Sequence, residues 1–270
     1  VLCRISAKGA TGVVTTAHTP WTSLHPASRA AWRATVRLDD TTVAVSAAVA
    51  ESLPARRDVI VLPHGVDPAR IAAAIHDACG VNHPDGVVAV TVASHRDVKN
   101  YPNLLRAVRV ARDAGACLHL VAVGEGPALE EHRRLAEALS IGDVVTFEPP
   151  SDDVLARIAA ADLLVVASDY EGQPMVVMEA LALGKPVVAT AVGRVPELVT
   201  PDVGRVVPPQ DADALGRALA EVAGDEQLRN SMGKNATARP TRPTLDDVLD
   251  AHIELYTRAA AMGSGTTAAH

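Results

Sequence analysis

The 270-residue chain carries a formal charge of −7 and has a pI near 5.8. No bulk field draws nucleic acid or an acidic bilayer, and an anionic ligand needs a local cationic pocket. Three cysteines without paired or C-x-x-C spacing (Cys3, Cys79 and Cys117) argue against a disulfide framework or a zinc site, and no apolar run approaches the ~18 residues of a membrane span.

Hydrophobic residues make up 48% of the chain and aromatics only 2%, so the core is built from Val, Leu, Ile and Ala. Such a core suits a sheet buried on both faces, whose strands read as continuous aliphatic runs. In chain order, strands are expected at Gly12 to Thr16, Thr42 to Ser46 and Val59 to Pro63, with helices near Ala27 to Val36 and Ala47 to Leu53. Three strands are few for a self-sufficient doubly wound domain, and Val1 to Ile5 reads as the middle of an element, so this part is expected to be the second half of a domain. Residues 68–85 read as a partly helical connection.

From Gly86 the alternation is regular. Strands are expected at Val87 to Ala93, Leu118 to Val123, Val144 to Phe147, Leu163 to Ala167, Val187 to Thr190 and Gly204 to Val207. Helices fall near Asn103 to Ala114, Ala128 to Leu139, Asp153 to Ala161, Met175 to Leu183 and Asp211 to Ala223, with a short turn at Pro196 to Val199. This is the pattern of an α/β fold with a doubly wound parallel sheet. A last helix, Leu245 to Ala261, is expected to cross back onto the first domain, ahead of a small, polar and disordered tail from Gly263 to His270. The expected division is 1–68, 69–85 (connection), 86–244, and 245–270 (crossing helix and tail).

Ligands of such sheets bind beyond the C-terminal ends of the strands, so the strand-to-helix loops are the informative places. Ser94-His95-Arg96-Asp97-Val98-Lys99-Asn100 offers two permanent cations, Arg96 and Lys99, able to neutralise a diphosphate; taken alone, a solvated surface loop is the commoner reading. Gly124-Glu125-Gly126-Pro127 lets a ligand approach the backbone but lacks the third glycine of a dinucleotide fingerprint, and taken alone a plain tight turn is the better reading.

Ser168 to Glu179 carries the most. Gly172 and Pro174 form a turn and Met175 opens a helix whose free N–H groups favour a phosphate or a polar sugar group. Glu171 can accept from sugar hydroxyls, with Gln173 beside it. Glu179 sits within an apolar run, where a carboxylate calls for hydrogen-bonding partners such as ribose hydroxyls; the plain alternative is a carboxylate stabilising the helix start. After the next strand, Gly193 again allows close approach, and Arg194 is either a cation near the ligand or a solvated one. His18, at the end of the first strand, faces the same choice between a ligand contact and a structural hydrogen bond. Asp211-Ala212-Asp213 reads as a helix cap rather than a metal-binding pair, and no metal site is expected.

Taken together, these loops resemble family 4 of the retaining glycosyltransferases, which has the GT-B architecture of two facing Rossmann-like domains. The matching stretches are Val61 to Asp67, Arg96 to Asn100, Val123 to Pro127, Glu171 to Glu179, Ala182 to Thr190 and Gly193 to Leu198. The resemblance runs from about Gly12 to about Ala223. It implies that Arg96 and Lys99 hold the donor diphosphate, Glu171 the sugar hydroxyls beside the backbone of Gly172 to Met175, and Glu179 the ribose. His18 is implied to lie near the sugar. The implied reaction is metal-independent retaining transfer from a UDP- or GDP-type sugar, with no cofactor, and the leaving phosphate takes the acceptor proton. Two positions depart from the family pattern. His64 stands where Asn is usual and is expected to affect only a turn. Arg194 stands where a second Gly is usual and is expected to add bulk and charge near the donor.

The resemblance also implies that about a hundred residues precede this chain, including a glycine-rich first loop, and that any peripheral membrane contact lies there. A cytoplasmic location is expected. Two other readings remain: a non-catalytic nucleotide-sugar-binding partner or sensor, and an epimerase, for which no proton-abstracting group stands out. Base recognition is expected from backbone groups near Phe147 to Ser151.

Overall fold

The computed structural model describes residues 12–18, 20–54, 59–81, 86–151, 153–239 and 243–264. Val1 to Ile5, Cys3 and most of the expected tail lie outside these. The chain divides into two compact units, Val1–Gly65 with Arg242–His270, and Val66–Thr241.

The first unit holds a parallel sheet in the order β1 (Val14–Ala17), β2 (Thr41–Ala44), β3 (Val59–Val61), with Thr15 opposite Thr42 and Val43 opposite Ile60. Helices α1 (Pro26–Thr35) and α2 (Ala47–Ser52) connect the strands; Ser46 caps α2 by accepting from the Val49 N–H at 3.2 Å. Ala44, Val45 and Val49 form the core of this unit. The last helix, α11 (Leu245–Ser264), touches β1 and buries Val248, Leu255 and Ala259. Its reach to Ser264 overlaps the first residues expected to be tail.

The second unit is built on a six-stranded sheet, parallel at every pairing. Its strands are β4 (Val87–Val92), β5 (Leu118–Val123), β6 (Val145–Glu148), β7 (Leu163–Val166), β8 (Val187–Thr190) and β9 (Gly204–Val207), in the order β6-β5-β4-β7-β8-β9. Alternate residues of one strand serve opposite faces. Val88, Val90, Leu164 and Val166 pack in one layer, Ala89, Leu163 and Val165 in the other. Helices α3 (Pro68–Asp77), α6 (Val154–Ala160) and α7 (Met175–Ala182) cover the first face, and α4 (Tyr101–Asp113), α5 (Leu129–Ala138) and α9 (Ala212–Gly224) the second. Both faces are thus dry, which is why the strands are aliphatic throughout.

Two differences from the sequence reading stand out. The stretch 68–85 is not only a connection: Asp67 caps α3 through the Ala69 and Arg70 N–H groups, and Ile71 and Ala74 enter the core of the second unit. One helix escaped the periodicity altogether, α10 (Glu226–Ala238), capped by Asp225. It buries only Met232 and Ala236, so its apolar signal is thin. Asp211 caps α9, accepting from the Ala214 N–H at 2.8 Å.

Candidate functional site

The strand order reverses between β4 and β7: the chain runs outward from β4 to β6, then returns to β7 on the other side. Loops leaving these two strands diverge, and the crevice between them is where a doubly wound sheet binds ligands. The β4 loop carries Arg96 and Lys99; the β7 loop carries Ser168 to Pro174.

Across this switch point the Lys99 Nζ donates to Glu171 Oε1 at 2.6 Å, and the Ser168 Oγ donates to the same oxygen at 2.7 Å. The Lys99 and Glu171 side chains are only 25% and 13% exposed, so the pair is screened less than a surface ion pair. Beside it the Asn100 Nδ2 donates to Asp169 Oδ1 at 2.7 Å, and the Asp169 N–H to the Val98 carbonyl at 2.9 Å. Asn100 adopts a left-handed conformation (φ 45°) and caps α4 through the Asn103 N–H. A lysine has three donors, so Lys99 can hold Glu171 and still meet an oxyanion.

The outer loops lock onto these two through glycine. A Cβ on Gly124 would lie 2.0 Å from the Ala93 carbonyl oxygen, and one on Gly193 would lie 2.0 Å from that of Glu171. The β5 loop is therefore pressed against the β4 loop, and the β8 loop against the β7 loop. Further hydrogen bonds tie the set: the His95 N–H donates to the Glu125 carbonyl at 2.8 Å, and the Thr190 Oγ1 to the Ser168 carbonyl at 2.6 Å.

The remaining expected residues take distinct places. Arg96 is exposed on the β4 loop. Gly172, Gln173 and Pro174 form the turn ahead of Met175, the first residue of α7. Glu179 is half-buried on α7, where none of the described residues hydrogen-bonds or ion-pairs its carboxylate; burial raises its pKa, partly offset by Arg70 on α3. Arg194, just ahead of α8 (Val195–Leu198), is paired with Glu197 of that helix at 2.8 Å, so its charge is partly neutralised locally. His18 lies in the first unit, exposed at the end of β1, its ring stacked on that of His64 at 5.3 Å and 12°. His64 therefore does more than occupy a turn, because its side chain contacts the expected functional histidine. Burial and the nearby His18 and His252 lower the His64 pKa.

One feature of the β4 loop was not legible in the sequence. His95 is fully buried, its Nδ1 2.8 Å from the His132 Nδ1 and its ring stacked on Tyr101 at 4.0 Å. One ring must donate and the other accept, which requires a neutral imidazole. Burial, then His132 and Arg133, pushes the His95 pKa down to about 4. Tyr101 in turn donates to the Ala93 carbonyl at 2.8 Å. This aromatic cluster backs the loop that presents the two cations. Among the described residues no group of three or more His, Cys, Asp or Glu side chains is placed to hold a metal ion, and no helix is long and apolar enough to cross a membrane.

A profile of "Glycosyl transferases group 1" matches residues 80–239, more than half of the chain and the part that bears these loops. The chain belongs to the group 1 glycosyltransferases. It is 36% identical over 206 residues to D-inositol 3-phosphate glycosyltransferase of Saccharomonospora viridis, a match covering 72% of this chain and 48% of that protein. The chain thus spans about half the length of this relative. Among solved structures it is similar to sucrose-phosphate synthase of Thermosynechococcus elongatus, with a TM-score of 0.78, 26% identity, and coverage of 92% of this chain and 68% of that one. It shares its fold with Anabaena HepE in complex with UDP-glucose, at a TM-score of 0.79, 21% identity, and coverage of 95% and 75%. The architecture of this group 1 glycosyltransferase is α/β with parallel sheets, of the GT-B type.

Proposed function

We propose that this chain carries the donor-binding machinery of a retaining, metal-independent glycosyltransferase that moves a hexose-type sugar from a nucleotide-diphosphate donor to an acceptor. The observation that carries this reading is the Lys99–Glu171 pair, 2.6 Å apart at the switch point of the sheet. It sets a cation beside a carboxylate where a phosphate and a sugar hydroxyl would be neighbours. Lys99 and the exposed Arg96 would hold the diphosphate and stabilise the charge that grows on it as the bond to the sugar breaks. Glu171 would accept from sugar hydroxyls through Oε2, with the turn Gly172-Gln173-Pro174 and the α7 N–H groups from Met175 onward beside it. Glu179, whose carboxylate none of the described residues hydrogen-bonds or ion-pairs, would accept from the ribose hydroxyls, and Gly124 and Gly193 would keep the backbone close to the ligand.

In the proposed step the bond between the anomeric carbon and the phosphate oxygen breaks, and the acceptor oxygen bonds that carbon from the same face. The acceptor proton passes to the departing phosphate, so neither a metal nor a further cofactor is needed. His18 is the first unit's candidate contributor. Its ring is held against His64, and an H18A variant would measure its contribution to turnover.

The test is thermal-shift titration with UDP, GDP and their sugars, with and without EDTA. Stabilisation by one diphosphate family, unchanged by EDTA and lost in K99A and E179A, is the expected outcome. A folded chain that responds to no nucleotide would overturn it.

A further inference from the structure

Beyond the opposite ends of the second unit's strands lies a cavity of about 430 Å3 that the donor chemistry does not use. Asp162 and Lys185 line it from just ahead of β7 and β8, so it opens at the N-terminal ends of the strands, away from the loops of the candidate donor site. Its other wall is α10, which contributes Arg229, Asn230, Lys234 and Thr237; Asn230, Lys234 and Thr237 are four and three apart and hence on one helix face, with Arg229 beside them. Gly233, between them, lets α10 approach the Gly184 carbonyl closely, since a Cβ there would lie 2.5 Å from it.

The charge of this cavity is unusual for a chain at −7. Three cations line it, Lys185, Arg229 and Lys234, and among the described residues none of them is ion-paired. Arg229 is anchored through Nη1, which donates to the Val222 carbonyl at 3.0 Å and to that of Ala223 at 2.5 Å; its Nε and Nη2 bond none of the described residues. Lys185 is half-buried, with its pKa lowered by desolvation and raised in part by Asp162. Two carboxylates, Asp162 and Glu226, also line it, so the cations outnumber them by one. Asp162 Oδ2 accepts the Val88 N–H at 2.7 Å, and Glu226 is exposed in the first turn of α10.

We propose that this cavity is a second binding site, distinct from the donor site, for a small molecule bearing a phosphate group. A half-buried lysine, an anchored guanidinium and a second lysine line this one cavity as separate donors suited to a tetrahedral oxyanion. The volume falls within the ~300–1,000 Å3 usual for small-molecule pockets and exceeds what bare phosphate needs.

Phosphate binding is measured by calorimetry and thermal shift at fixed ionic strength in an R96A/K99A background, where the donor-site cations are gone. Phosphate should raise Tm there by about 2–4 °C at saturation. Adding K185Q and R229Q should weaken binding at least tenfold, and the exposed K234Q, which leaves the fold alone, should weaken it severalfold. K185Q/R229Q with an intact donor site should bind nucleotide diphosphates as the parent chain does, so failure of either site is read separately. Tighter binding of a hexose phosphate than of inorganic phosphate assigns the site to an organic ester; the reverse assigns it to free phosphate. No shift in R96A/K99A, or equal affinity with and without the Lys185 and Arg229 substitutions, would overturn the proposal.

Discussion

Replacing Gly193 with alanine should separate loop geometry from simple stability. Gly193 has φ +51°, and an alanine there meets the left-handed penalty of about 1–2 kcal/mol. Its Cβ would also stand 2.0 Å from the Glu171 carbonyl oxygen, against 3.4 Å or more for ordinary contact, so the two loops must part by about 1.4 Å (3.4 − 2.0). That carbonyl belongs to the residue whose carboxylate meets Lys99 at 2.6 Å, so the displacement reaches the ion pair directly. Misplacement of ~1 Å costs roughly a hundredfold in rate. Gly115 is the control: its φ is +86°, with nothing within 4 Å of a built Cβ. G115A should lose about 1–2 kcal/mol in urea denaturation and leave nucleotide binding unchanged. G193A should lose at least that much, weaken nucleotide-diphosphate binding about tenfold or more, and reduce turnover roughly a hundredfold. The unfolded-chain entropy lost on replacing glycine with alanine is common to both and cancels. Equal stability, binding and turnover in the two variants would refute the argument that Gly193 sets the position of Glu171.

Three further measurements probe neighbouring groups. Lys99→Met leaves Glu171, among the described residues, with the Ser168 hydroxyl, and turnover should fall roughly 10²- to 10³-fold, the usual consequence of losing one donor to a developing anion; a loss under threefold would remove Lys99 from the proposed diphosphate site. For Glu179, burial raises the folded pKa above the unfolded value, so the unfolded state ionises first and stability falls as pH rises through the carboxylate range. Glu179→Gln should abolish that slope in urea midpoints while weakening nucleotide binding at least tenfold, and a gain in stability with unchanged binding would mean that the carboxylate meets no ribose. His95 titrates at about 4 in the folded chain against 6.5 unfolded, so below pH 6.5 the unfolded state takes up the proton first. Stability should therefore decline from pH 6.5 toward 4, and His95→Phe should flatten that decline; parallel urea profiles for the two proteins would rule His95 out as its source.

Much of the second unit is legible in its sequence because a sheet covered on both faces leaves a local trace. Val87 to Val92 and Leu163 to Val166 are apolar at every turn of the pleat but Thr91, and the helices between them show their buried stripe at helical spacing. The loops that bear Arg96, Lys99, Glu171 and Gly193 follow from the same alternation, since each lies where a strand gives way to a helix. Local spacing could not show that α10 is a helix, because its inward face is polar along the cavity and only Met232 and Ala236 are buried. Nor could it show that His95 is buried against His132, because both are histidines on segments rich in charge.

From its order of residues alone this chain is an alternating strand-and-helix protein with its candidate site residues in the strand-to-helix loops, because apolar period and turn residues act within a few positions of one another. Which loops meet was decided by tertiary structure. Lys99 and Glu171 are 72 residues apart, and they touch because β7 pairs with β4 rather than continuing outward from β6. His18 stacks on His64 because β1 and β3 flank β2 in one parallel sheet. Strand order is fixed by how whole layers of side chains bury one another, and no window of local sequence contains that information.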